Sequence, residues 1–196
     1  MTTLQITISD NNDDAVEADD GSGFDAAPSL LRIISHTSDP SFRFNSGFRF
    51  PGATIPAGST INSATITLDV SSAANDDFDC VIFLNDVDDA ANFVTEADVT
   101  GRSRTAASVA WDQISAGAGA EVSPDFAAVV QEVVDRGGWA SGQALCVIIK
   151  GSTDTDLTQV RVTNQTAILD IDYTEPAAGG ISVPVVMHHR KITGQS

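Results

Sequence analysis

Apolar and polar residues alternate with a period of two along much of this chain. Ala64, Ile66, Leu68 and Val70 interleave with Ser63, Thr65, Thr67 and Asp69, and Leu169, Ile171 and Tyr173 with Asp170 and Asp172. Successive side chains of a strand point to opposite faces, so each run predicts a strand with one face in a core and the other in water. Phe42, Phe44, Phe48 and Phe50 keep that alternation around Arg43 and Arg49, with Asn45-Ser46-Gly47 expected to turn the chain between two short strands. Val81–Leu84 and Leu145–Ile149 are unbroken apolar runs and predict strands buried on both faces or lying in the sandwich interior. Leu4–Ile8, Leu30–Ile34, Ser108–Trp111 and Val160–Val162 are shorter strand candidates.

One segment has a helical period instead. Phe126, Val129, Val130 and Val133 share one face of a helix, preceded by Ser123 as N-cap, Pro124 at the first helical position and Asp125 in the first turn. Gly137-Gly138 stops the run, so the spacing predicts one short helix over 124–136. Many short strands, wet turns and a single helix predict a mostly β protein: one antiparallel β-sandwich, jelly-roll-like, over residues 1–175. Residues 176–196 read as a linker and an extended C-terminal arm. Ile181, Val183, Val185, Val186 and Met187 make that arm apolar, Pro184 interrupts it, and His188, His189, Arg190 and Lys191 make its end basic. Such a segment is expected to pair with something outside the sandwich.

Charge narrows the choice of partner. The 196 residues hold 27 acids and 10 bases, a formal charge of -17. A chain so acidic is a poor counter-ion for nucleic-acid phosphates or an anionic membrane surface, so neither is expected as a partner. No apolar run reaches the ~18 residues of a membrane span. Met1 to Ile6 lacks the basic and apolar regions of a secretory signal, and synthesis in the cytoplasm is expected. Residues 1–100 carry 17 acids and 3 bases, gathered at Asp10–Asp20, Asp76–Asp79 and Asp86–Asp89, which read as loops between strands.

Little in the chain suggests catalysis. There is no phosphate-binding glycine loop, no nucleophile elbow and no zinc-type ligand spacing. His36 follows a strand, and His188-His189 would point to opposite faces of an extended arm. Cys80 and Cys146 sit inside apolar runs and are expected as buried free thiols in preference to a disulfide. No cofactor is expected except structural calcium, for which Asp76, Asp77, Asp79, Asp86, Asp88 and Asp89 are the candidate ligands; a solvated acidic rim is the competing, favoured reading. Asp10, Asn12 and Asp14 open like a helix-loop-helix calcium loop but lack its glycine and closing glutamate. Trp111 and Trp139 are the available stacking platforms for a sugar, against a core role for both.

Three stretches carry a family resemblance: Gly47-Phe48-Arg49-Phe50 with Thr54-Ile55-Pro56-Ala57-Gly58-Ser59-Thr60-Ile61-Asn62-Ser63-Ala64-Thr65-Ile66, then Gly101-Arg102-Ser103-Arg104-Thr105 before Val109-Ala110-Trp111, and Ser123-Pro124-Asp125 leading through Val130-Gln131-Glu132-Val133 to Trp139 and Leu145. Together they resemble DNRLRE-type jelly-roll modules over roughly residues 45–173. The resemblance implies a noncatalytic β-sandwich, a fold attached to surface proteins, adhesins, polysaccharide-acting enzymes and virion proteins. Within it Pro56 and Gly58 shape a turn and Trp139 packs where the helix returns to the sheet. The arm resembles terminal arms of tailed-phage structural proteins. The resulting expectation is a non-enzymatic virion protein, a capsid decoration or head-surface protein docked through its arm to a capsid or other virion protein and to copies of itself. The alternative is a carbohydrate-binding or adhesin-type module with a glycan as partner.

Overall fold

The computed structural model describes residues 1–177 apart from 9, 27, 36–37, 73–77, 114–117, 152 and 154–157. The strands are β1 (Thr2–Thr7), β2 (Asp14–Ala18), β3 (Leu30–Ser35), β4 (Phe44–Ala53), β5 (Thr60–Ser72), β6 (Phe78–Leu84), β7 (Val109–Gln113), β8 (Gly119–Val122), β9 (Gln143–Gly151), β10 (Thr158–Thr163) and β11 (Ile168–Thr174). The helix α1 (Ala127–Val134) lies between β8 and β9. Every pairing is antiparallel, in the order β1-β11-β5-β10-β3-β4-β9-β6-β7, with β2 on β4 and β8 on β5.

A single ribbon becomes a sandwich because β5 is long. Its first half pairs with β11 (Ile168↔Thr67 to Thr174↔Thr60) and its end with β10 (Val162↔Val70), so β10 and β11 run consecutively along one edge. Bulges at Arg161/Val162 and Asp172/Tyr173 break the register and let the ribbon fold over, the usual device where strands pass from one layer to the other. β1 consequently approaches β4 without pairing to it, and inward residues of both layers form one core: Ile66, Leu68, Leu169 and Ile171 with Phe48, Phe50, Ile82, Leu145, Val147 and Ile149. The alternating runs expected at residues 63–70 and 169–173 bury the odd or even set as their pattern requires, and all four shorter candidates are strands.

β9 is buried on both faces, as its unbroken apolar run implies. Leu145, Val147 and Ile149 enter the main core, while Ala144, Cys146 and Ile148 meet a second cluster of Ala15, Ala90, Phe93 and Val99. That cluster exists because residues 85–105 cross the outer face of β9 and β4. β6 differs: Cys80, Ile82 and Leu84 are buried, but Val81 and Phe83 are only half-buried.

Three local expectations are corrected. Asn45-Ser46-Gly47 does not turn; it runs inside β4, with Gly47 facing Ala15 on one side and Ile148 on the other. The glycine is needed there because a Cβ would come within 2.5 Å of the Phe93 ring. The helix begins at Ala127 rather than 124, since the chain after β8 stays extended along β5: Ser123 and Phe126 donate backbone N–H groups to Ile66 and Ala64 carbonyls, each at 2.9 Å. Ser123 Oγ accepts from Ile66 N (3.0 Å) and Asp125 Oδ1 from Ala64 N (2.8 Å), so these side chains hold β5, and only Asp125 also reaches the helix, at Ala127 N (2.9 Å). Phe126, Val129, Val130 and Val133 form the buried stripe as their spacing predicts, joined by Val134. Finally, Asp10–Asp20 is not wholly a loop: Asp14–Ala18 is a strand with every residue buried.

Candidate functional site

The residues singled out in the sequence do not converge on one site. Trp111 and Trp139 are 2% and 4% exposed, and the Trp139 indole donates to the Ile55 carbonyl at 3.0 Å. Both rings belong to the core, so neither is a sugar platform: an aromatic face already covered by protein has nothing to stack on a ligand. Gly58 has the positive φ of 78° expected of its turn, and Ser59 N donates to Pro56 O (3.1 Å). Both thiols are free and buried; burial pushes Cys146 up to about 11 and Cys80 also upward, so neither is an activated nucleophile.

The candidate calcium ligands are separated by other partners. Asp86 and Asp88 do meet, but around a cation, Arg136, whose Nη1 pairs with Asp86 and whose Nε lies 2.7 Å from Asp88. These carboxylates hold the Arg136 guanidinium above its ordinary value. Gly138 makes room for Asp88, since a Cβ there would come within 2.0 Å of its carboxylate. Asp89 accepts the Ala144 N–H at 2.9 Å, and Asp79 lies in β6 opposite Asp112. Among the described residues no three His, Cys, Asp or Glu side chains are placed to hold a metal. Asp76, Asp77, all three histidines and the arm from Ile181 to Lys191 lie outside the described residues.

The acids that organise the molecule are ones the sequence pattern hid. Asp14 and Glu17 are fully buried on β2, three positions apart and therefore on opposite faces. Glu17 accepts the N–H groups of Ala97, Val99 (3.1 Å) and Thr100 (2.7 Å) and the Thr100 hydroxyl (3.0 Å). Asp14 accepts the Gln165 N–H at 2.7 Å, leaving its Oδ1 buried without a partner. Ala97 and Gln165 are the two non-glycine residues with positive φ among those described, at 69° and 57°. Left-handed backbone costs an L-residue roughly 1–2 kcal/mol. Each such residue thus delivers its N–H to a buried carboxylate of the same strand. β2 clamps the covering loop on one side and the β10–β11 turn on the other.

Most basic residues serve the same framework. Arg49 bridges Asp13 and the Ala90 carbonyl, both at 2.6 Å, and Arg43 (2.6 Å) and Lys150 (3.2 Å) share Asp19. Asp19 is pushed up by burial, yet Lys150, Asn45 and Arg43 hold it below the usual carboxylate range overall. Arg102 lies over the Phe93 ring at 4.2 Å and donates to the carbonyls of Ala91 (2.8 Å) and Asn92 (3.1 Å). Arg104 lies over Phe83 at 5.6 Å. A cleft of about 200 Å³ opens on the outer face of β3 and β10, lined by Asp25, Leu30, Arg32, Phe44 and Arg161 among others. No protein-family model matches this sequence, and no curated protein matches it. Among the described residues no helix is long and apolar enough to cross a membrane.

Proposed function

We propose that this chain is a non-enzymatic structural protein of a tailed-phage particle, a decoration or head-surface protein whose sandwich faces outward and whose segment 176–196 anchors it to a capsid or other virion protein and to copies of itself. The observation that supports this reading most is the exit of the chain. β11 ends at Thr174, paired with Thr60; Glu175, Pro176 and Ala177 are exposed, and Pro176 passes beside Gly58 at the surface. The sequence that follows holds the apolar run from Ile181 and the basic end at Arg190-Lys191, while the core of the described domain already includes Leu169, Ile171 and Tyr173 of β11 with Leu4 and Ile6 of β1 packed against it. An extended apolar segment gains little in water and much by adding to a sheet edge elsewhere.

The internal use of charge supports the same reading. Carboxylates and guanidinium groups pin loops to strands, as in a domain selected for rigidity, and the buried free thiols suit assembly in a reducing compartment. Nucleic acid and membrane are not proposed as partners. The test compares the full chain with a 1–177 truncation, expressed in infected host cells. Both should show the same far-ultraviolet circular dichroism and melting temperature, and only the full chain should co-sediment with purified particles. Equal incorporation of the truncation would overturn the proposal.

A further inference from the structure

The geometry points to an oxyanion-binding site between Arg32 and Arg161, in the cleft on the outer face of β3 and β10. The two arginines are directly opposite in the ladder, at Arg161↔Arg32. Their neighbours Leu31, Ile33, Val160 and Val162 are buried, so the pleat turns both guanidinium groups outward, and both residues are exposed. Like charges placed opposite each other on adjacent strands repel. Among the described residues neither side chain has an ion pair or a side-chain hydrogen bond to offset that repulsion.

That absence is selective. The other described bases, Arg43, Arg49, Arg102, Arg104, Arg136 and Lys150, are all engaged by carboxylates, carbonyls or aromatic rings. In a chain of net charge -17, chance would scatter the unengaged bases or pair them with abundant acid. Instead the two stand side by side and line one concavity. Cross-strand neighbours sit about 5 Å apart at Cβ, a spacing at which two guanidinium forks grip one carboxylate or phosphate group. Phe44 closes part of the cleft, with Gly23 against its ring, where a Cβ would lie 3.4 Å from the edge. Asp25 lines the same cleft, and its carboxylate weighs against any anion bound between the two arginines. The oxyanion is either a free inorganic ion or a carboxylate borne by a partner chain.

The test uses the full chain and follows arginine side-chain N–H resonances by NMR at constant ionic strength. Inorganic phosphate is titrated in one arm and tetra-aspartate peptide in the other. Saturable shifts at Arg32 and Arg161 are expected, with phosphate affinity of about millimolar order. Arg32→Gln and Arg161→Gln should each weaken binding roughly tenfold, the effect of one lost charge-assisted contact. Asp25→Asn should tighten it. Peptide binding tighter than phosphate assigns the site to a partner's carboxylates, and the reverse order to a free anion. Shifts that grow linearly without saturating, or that persist unchanged in Arg161→Gln, overturn the proposal. Relief of repulsion predicts that neither glutamine variant melts below the parent; should one fail to fold, Arg161→Lys keeps the charge but not the fork and must still weaken binding.

Discussion

Asp14 offers the sharpest check on the reasoning, because its effect can be isolated from packing. Burial on β2 raises its carboxyl from 3.8 to about 6, against the lowering by the Gln165 N–H and with further upward pushes from Asp13 and Asp25. An acid whose folded value is raised binds its proton more tightly folded than unfolded. Its contribution therefore disfavours folding at neutral pH and vanishes below the unfolded value, so stability from this group falls as pH rises from about 4 to 6 and is level above that. One pKa unit is about 1.4 kcal/mol, which makes the full cost ~3 kcal/mol and the part expressed between about pH 4.5 and pH 8 roughly 2 kcal/mol. Asp14→Asn removes this titration. The amide introduces donors where Oδ1 has no partner, a fixed cost of roughly 1–3 kcal/mol that does not depend on pH. The difference between variant and parent, measured by urea unfolding followed by circular dichroism across that range, should thus shift by roughly 2 kcal/mol in favour of the variant as pH rises. A difference constant to within about 0.5 kcal/mol would show that burial does not raise this carboxyl above its unfolded value.

Two further outcomes test the loop-covered face. Gly47→Ala puts a methyl within 2.5 Å of the Phe93 ring inside a closed cluster, and should destabilise the protein by about 1–3 kcal/mol in the same assay; pairing it with Phe93→Leu should recover part of that loss. Glu17→Gln keeps the side chain's shape but turns an amide donor toward backbone N–H groups. Hydrogen exchange at Ala97, Val99 and Thr100 should then accelerate by about tenfold or more while β5 and β9 remain protected. Unchanged protection at those three amides would mean that the covering loop is held by Phe93 and Arg102 instead.

Much of the architecture follows from local pattern alone. Ile66, Leu68, Leu169 and Ile171 enter the core because a strand alternates its faces, and Phe126, Val129, Val130 and Val133 share a stripe because a helix repeats every three to four residues. The double burial of Leu145–Ile149 was written in an apolar run with no polar position to expose. These are one-dimensional signals, carried by residues close in sequence.

What tertiary structure decided are the places where distant residues change the cost of a local choice. Asn45-Ser46-Gly47 has turn chemistry, yet it stays extended because β2 and β9 pair on either side of it and Phe93, far along the chain, occupies the space a side chain would need. Asp-Ala-Val-Glu-Ala at 14–18 resembles a solvated loop until loop N–H groups at 97–100 and 165 arrive to satisfy its carboxylates, and only then does burial become tolerable. Asp86 and Asp88 look like cation ligands and do receive a cation, but it is Arg136, delivered by the end of α1. The outward aim of Arg32 and of Arg161 can be read from Leu-Leu-Arg-Ile-Ile and Val-Arg-Val; that they face each other depends on the register between β3 and β10, which no local pattern encodes. Periodicity sets which face a residue takes, whereas pairing across the sheet sets its neighbours, and in this protein charge acquires its role from those neighbours.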